Sequence, residues 1–148
     1  MLVIHVSKTP LAGSPIRIVN ALNAHSSVAA RLINLAPNAY GTRTFPEDLE
    51  WGADRDQAQD LLARADIVHF HHFFDFGSTS NPFGFDFLNA MRPSAHCLIQ
   101  WHSSPEFTAR DSGVPESSIH TTDIPQMVVA QYHERYYPSA LPVPLILG

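Results

Sequence analysis

The sequence has little cysteine, little positive charge and no long apolar run. Its single cysteine, Cys97, cannot form an internal disulfide, which fits a reducing compartment such as the cytoplasm. Nine lysines and arginines face fourteen aspartates and glutamates, for a net charge of −5. The basic stripe that a nucleic-acid groove requires is therefore missing. No apolar stretch approaches the ~20 residues that cross a bilayer. The opening "MLVIHVS" runs straight into strand-like sequence without a basic segment and hydrophobic leader, so no secretory signal is expected. There is no internal repeat and no low-complexity segment.

What remains is a chain of 148 residues with 45% hydrophobic content, which excludes intrinsic disorder and suits one ordinary domain. A domain of this length buries about two thirds of its unfolded surface. Nine histidines make its charge sensitive to pH between about 5 and 7.

Short β-rich runs alternate with helical stretches. "MLVIHVS" (1–7) reads as a strand, "KTPLAGS" as a loop, and Ser14-Pro15 as a capping side chain followed by a first-turn proline. Ile16, Val19 and Leu22 then give one buried helical face. "VAARLINLA" (28–36) reads as a strand, and the Pro- and Gly-bearing stretch 37–54 as a long loop. "RDQAQDLLARA" (55–65) predicts a helix with Ala58, Leu61, Leu62 and Ala65 inward. "DIVHFHH" (66–72) is a strand, "NPFGFDFLNAMR" (81–92) leads into a helix, and "SAHCLIQWHS" (94–103) is another strand. Beyond it, "SSIHTT" and "QMVVAQ" resemble short strands, "YHERYY" a helical turn and "LPVPLIL" an extended end. Trp51 and Trp101 read as packing residues, and Cys97 as a small hydrophobe on a strand.

This rhythm predicts an α/β fold: a doubly wound, mostly parallel sheet flanked by helices, in a single Rossmann-like domain. Strands covered on both faces run apolar without alternation. Ligands in such folds bind at the carboxyl ends of the strands, near the point where strand order reverses. Three segments converge there: "KTPLAGS", "HFHHFFD" and "WHSSPEF".

"ADIVHFHHFFD" places three histidines within residues 69–72. Strand alternation sets His69 and His71 on one face and Phe70 and His72 on the other. Two imidazoles at i and i+2 can share a metal, as in hydrolases that carry an H-x-H pair at a strand end. Those enzymes complete the site with ligands from later strands of a ~250-residue barrel, which this chain is too short to build. The preferred expectation has His69 partly buried and His71, His72 and Asp75 lining a cleft. Phe73, Phe74 and Phe76 serve as core or cleft wall. A stand-alone ligand- or partner-binding module stays open, as does a metal-dependent hydrolase.

Gly13 ahead of a helix, "ADIVHFHH" (Asp66 to His71) and "LIQWHSSP" (His102-Ser103), with a terminal "VPLILG", resemble the N-terminal half of GT-B glycosyltransferases, in particular the retaining family-4-like enzymes. The resemblance implies the acceptor-binding half of an enzyme that moves a sugar from a nucleotide-sugar donor to a carbohydrate or lipid-linked acceptor. The partner it implies is a C-terminal donor-binding domain, with peripheral membrane association of the parent enzyme open. The nucleotide-sugar would be a co-substrate and no metal would be required. The Gly13-Ser14 loop would offer backbone amides and a helix dipole to a diphosphate or sugar. His102 would contact the transferred sugar near the reacting carbon, Ser103 or Ser104 would hold a neighbouring hydroxyl or phosphate, and Glu106 a sugar hydroxyl. Lys8 and Arg17 lie near the loop.

Overall fold

In the computed structural model, residues 1–36, 45, 48–129 and 133–144 are described. Their strands form one seven-stranded sheet: β1 (Leu2–Ser7), β2 (Ala29–Asn34), β3 (Leu49–Glu50), β4 (Ile67–Phe70), β5 (His96–Trp101), β6 (Gln126–Val129) and β7 (Leu141–Val143). Every pairing is parallel and the order is β3-β2-β1-β4-β5-β6-β7. The expected doubly wound α/β sheet is thus observed. Strand order reverses between β1 and β4, where Val3 to Val6 run in register with Ile67 to Phe70.

The two faces are covered unequally. One carries Ile4, Val6, Val68, Phe70, Ile99, Trp101 and Val128, all buried. It packs under α2 (Arg55–Arg64), α3 (Phe87–Ala90), α4 (Pro105–Ser112) and α5 (Glu116–His120), whose inward side chains belong to the same core cluster. The inner face expected of α2, Ala58, Leu61, Leu62 and Ala65, is buried there. On the other face α1 (Ser14–His25) covers β1 and β2, with Val19 against Ala30 and Leu32 and with Ile16 and Leu22 at the margin. Towards β7 that face lines an apolar groove of about 400 Å³.

Several local expectations change. Ser14 is the first residue of α1 and not its cap: Gly13 occupies the cap position in the left-handed conformation (φ 80°), and no side chain caps the helix. The strands at 66–72 and 94–103 are shorter, ending at Phe70 and Trp101, so His71, His72 and His102 stand just past their carboxyl ends. Only Phe87–Ala90 of 81–92 is helical. The Asn81 amide donates to the carbonyls of Asp75 and Phe85 and holds the preceding turn, and the Asp86 side chain caps the short helix.

Stretch 37–54 is not all irregular, because Leu49–Glu50 forms β3; residues 37–44 and 46–47 lie outside the described residues. "SSIHTT" is part of helix α5 and not a strand. A proline at its start and an inward Ile119 favour one helical turn over an extended run. "QMVVAQ" supplies β6 and "LPVPLIL" supplies β7, while "YHERYY" supplies a 3-10 turn at His133–Tyr136. Residues 130–132 and 145–148, with most of the "VPLILG" match, lie outside the described residues. No helix among the described residues is long and apolar enough to cross a membrane.

Candidate functional site

Parallel register at the switch point sets His5 of β1 directly beside His69 of β4. Alternation brings His71 onto the same side as His69, and the His71 amide continues the ladder by donating to the Val6 carbonyl at 2.9 Å. Three imidazoles therefore meet on the face that α1 only partly covers. Their ring centroids are 4.3 Å apart for His69 and His71, 4.8 Å for His5 and His69, and 5.2 Å for His5 and His71. All three side chains are buried.

A chain of ring-nitrogen contacts runs from two of them to His102, past the carboxyl end of β5. His5 Nδ1 lies 2.9 Å from His71 Nε2, and His71 Nδ1 lies 3.1 Å from His102 Nε2. A neutral imidazole has one N–H and one lone pair, so the proton on His71 fixes the direction of both contacts at once. His72 turns the other way, to the first loop. Its Nδ1 accepts from the Lys8 amide at 3.1 Å, which places its proton on Nε2, 3.3 Å from the Thr9 hydroxyl.

Burial keeps these rings neutral. It pulls His5 down to about 4. His69 falls well below its ordinary value, by burial first and then by His5 and His102, with the Gln100 side chain acting weakly in the other direction. His71 falls likewise, by burial and then by the four surrounding histidines, His69 foremost. His72 goes to about 3, through burial and His102, and His102 to about 4, through burial and His133. Two nitrogens of the cluster, His5 Nε2 and His69 Nε2, are buried without a hydrogen-bond partner.

The residues expected from sequence fall into several places. His69, His71, His72, His102 and Ser103 come together. His69 faces the apolar groove with His5, Ser14 and Gln100, whereas His71, His72, His102 and Ser103 line a narrow crevice at the carboxyl ends of β4 and β5 beside Thr108. His71 borders the crevice while being almost wholly buried, and His69 is buried rather than partly so. Asp75 is exposed and lines a separate depression with Phe73, Phe74 and Phe76. Ser104 caps α4 by accepting from the Phe107 amide, and with the exposed Glu106 it borders another depression, beside Glu116 and His120. Lys8 pairs with Asp111 at 2.9 Å.

The Gly13 loop is more occupied than expected. The Gly13 amide donates to the Pro10 carbonyl, the Ser14 amide donates to Leu11, and Pro15 has no N–H. A side chain at Gly13 would run into the Phe45 ring, 2.6 Å from the nearest carbon. Its glycine is thus explained by the left-handed backbone and a close internal neighbour.

His5 and Thr9 are the contributors that sequence reasoning missed. The available signal was a lone histidine inside the apolar run "LVIHV", two places before a strand end, in a chain whose next central strand carries H-x-H. Comparison with known proteins adds no name: no protein-family model, curated protein or solved structure matches this chain.

Proposed function

We propose that this chain is the acceptor-binding half of a glycosyltransferase, holding a carbohydrate or lipid-linked acceptor while a second domain presents the nucleotide-sugar. The observation that supports it is His102. It stands past the carboxyl end of β5, next to the switch point, with Ser103 and Thr108 around the same crevice. Its Nε2 is taken by His71, while Nδ1 makes no hydrogen bond among the described residues and is free to meet a sugar hydroxyl. The occupied amides of the Gly13 loop remove the diphosphate contact that the resemblance implied, so in this reading the donor diphosphate is left to the other domain. In this reading His102 contacts the sugar, Ser103 and Thr108 hold neighbouring hydroxyls, and His72 anchors the first loop.

Saturation-transfer NMR of the 148-residue chain against a panel of saccharides and nucleotide-sugars tests this. Saccharide signals are expected, with nucleotide-sugars adding none. His102→Ala should abolish them with the far-UV circular dichroism unchanged, and His102→Asn, whose amide reaches the place of Nδ1, should keep part of them. No saccharide signal, or one indifferent to His102→Ala, would refute the assignment.

A further inference from the structure

We propose that His5, His69 and His71 bind one divalent transition-metal ion, zinc foremost, with a fourth coordination position open to the apolar groove. The site stands apart from the glycosyltransferase reading, since none of its three ligands is needed to touch a sugar. One ring nitrogen from each residue lies within 4.8 Å of the other two. His5 and His69 rise from two adjacent strands held in register at the middle of the sheet, and His71 follows directly past the end of β4 with its amide still bonded to the Val6 carbonyl.

A second, independent observation points to a ligand. His5 Nε2 and His69 Nε2 are buried and have no hydrogen-bond partner among the described residues, and the two residues are only 1% and 6% exposed. Orphaned buried polar atoms are uncommon in folded proteins, because each forfeits its hydration. A metal ion supplies the missing partner.

The chemistry of the set selects the ion. Three imidazoles and no carboxylate suit zinc, copper or nickel, and they suit magnesium or calcium poorly. Zinc–nitrogen distances of about 2.0–2.1 Å require the nitrogens to draw together from their present spacing, and His71 Nε2 to exchange its contact with His5 Nδ1 for the ion. His102 Nε2 at 3.1 Å from His71 Nδ1 is the outer partner that orients a metal-ligating imidazole. Access comes through the groove, whose described lining contains no lysine or arginine to repel a cation. With three neutral ligands, a water in the fourth position would be strongly acidified.

The test uses the 148-residue chain, stripped with chelator and titrated with Zn²⁺ against a chromophoric competitor. Co²⁺ substitution then reads the geometry from its visible spectrum. One equivalent per chain and a four-coordinate cobalt spectrum are expected. His69→Gln and His5→Gln should each lose stoichiometric binding, while His96→Gln and His120→Gln, both exposed and outside the cluster, should keep it. Should the ligand variants not fold, the cobalt spectrum of the unaltered chain decides alone. A six-coordinate spectrum, unsaturable binding, or binding that persists in a folded His69→Gln protein would overturn the site. Saccharide NMR of the stripped chain reports on the transferase reading separately, so either can fail alone.

Discussion

Acid should unfold the chelator-stripped chain well above the pH at which its carboxylates protonate. His5 is 1% exposed and burial lowers it from 6.5 to about 4. In the unfolded chain it takes up a proton near pH 6.5, whereas in the folded chain it stays neutral until about 4. Between those values the unfolded state binds more protons, so stability rises with pH across the window. It is complete above about 7 and drains away as pH falls from 6.5 towards 4. At pH 5, unfolded His5 is almost wholly protonated and folded His5 about one tenth so, a difference of about 2 kcal/mol against pH 8. For a domain of this size that lowers the melting temperature by about 4–8 °C. His69, His71, His72 and His102 are shifted the same way, so the observed loss must exceed the His5 share. Urea unfolding followed by circular dichroism from pH 8 to 4.5, in chelator, measures it. His5→Leu should cut the slope inside the window by nearly one proton, about 1.4 kcal/mol per pH unit. A midpoint unchanged between pH 8 and pH 5 would refute the buried neutral cluster.

Two further predictions concern single residues. Gly13→Ala should destabilise by more than Gly113→Ala: both positions are left-handed, at φ 80° and 67°, and share a backbone cost of about 1–2 kcal/mol. Only the first also meets Phe45, so equal urea midpoints for the two variants would show that the Phe45 contact carries nothing. The Cys97 thiol, pushed up to about 12 by burial, should react slowly with a disulfide reagent at pH 8 in the native chain and rapidly in urea; a fast native reaction would contradict its packing.

The sheet was legible because each central strand is a mostly apolar run, broken only by His5, His69 or Gln100, and bounded by a helical pattern, so that two-sided burial shows in sequence. Helix α4 escaped notice although its signals were present, with Ser104 capping, Pro105 in the first turn and Gly113 left-handed at the end. Its polar composition hides the 3.6-residue period. Helix α5 was misread as a strand because five residues are too few to display a 3.6-residue repeat. The histidine site was half legible. Alternation within "VHFHH" gives the shared face of His69 and His71, but His5 joins them only through register with a residue 64 positions further along the chain, which no local pattern encodes. Asp75 and Glu106 stayed out because nearness to a strand end in sequence says nothing about which depression a loop residue faces.

His102 links the two proposals, and its two nitrogens keep them apart. Nε2 faces inward to His71 and would orient that ring for the proposed metal, while Nδ1 is left on the side of the crevice. An asparagine at 102 reaches the Nδ1 place but falls short of His71, so it should sustain the proposed sugar contact and withdraw support from the proposed metal ligand. A polar chain from the crevice through His102 and His71 to His5 crosses from the carboxyl ends of the strands to the groove on the partly covered face, where His69 packs beside it. Any proton or cation bound at one end changes the hydrogen-bond direction available at the other, because His71 carries a single N–H to share between them. If both proposals hold, occupancy of the groove side and recognition on the crevice side are linked through His71, which would give a physical reason for four histidines to gather inside an otherwise apolar sheet.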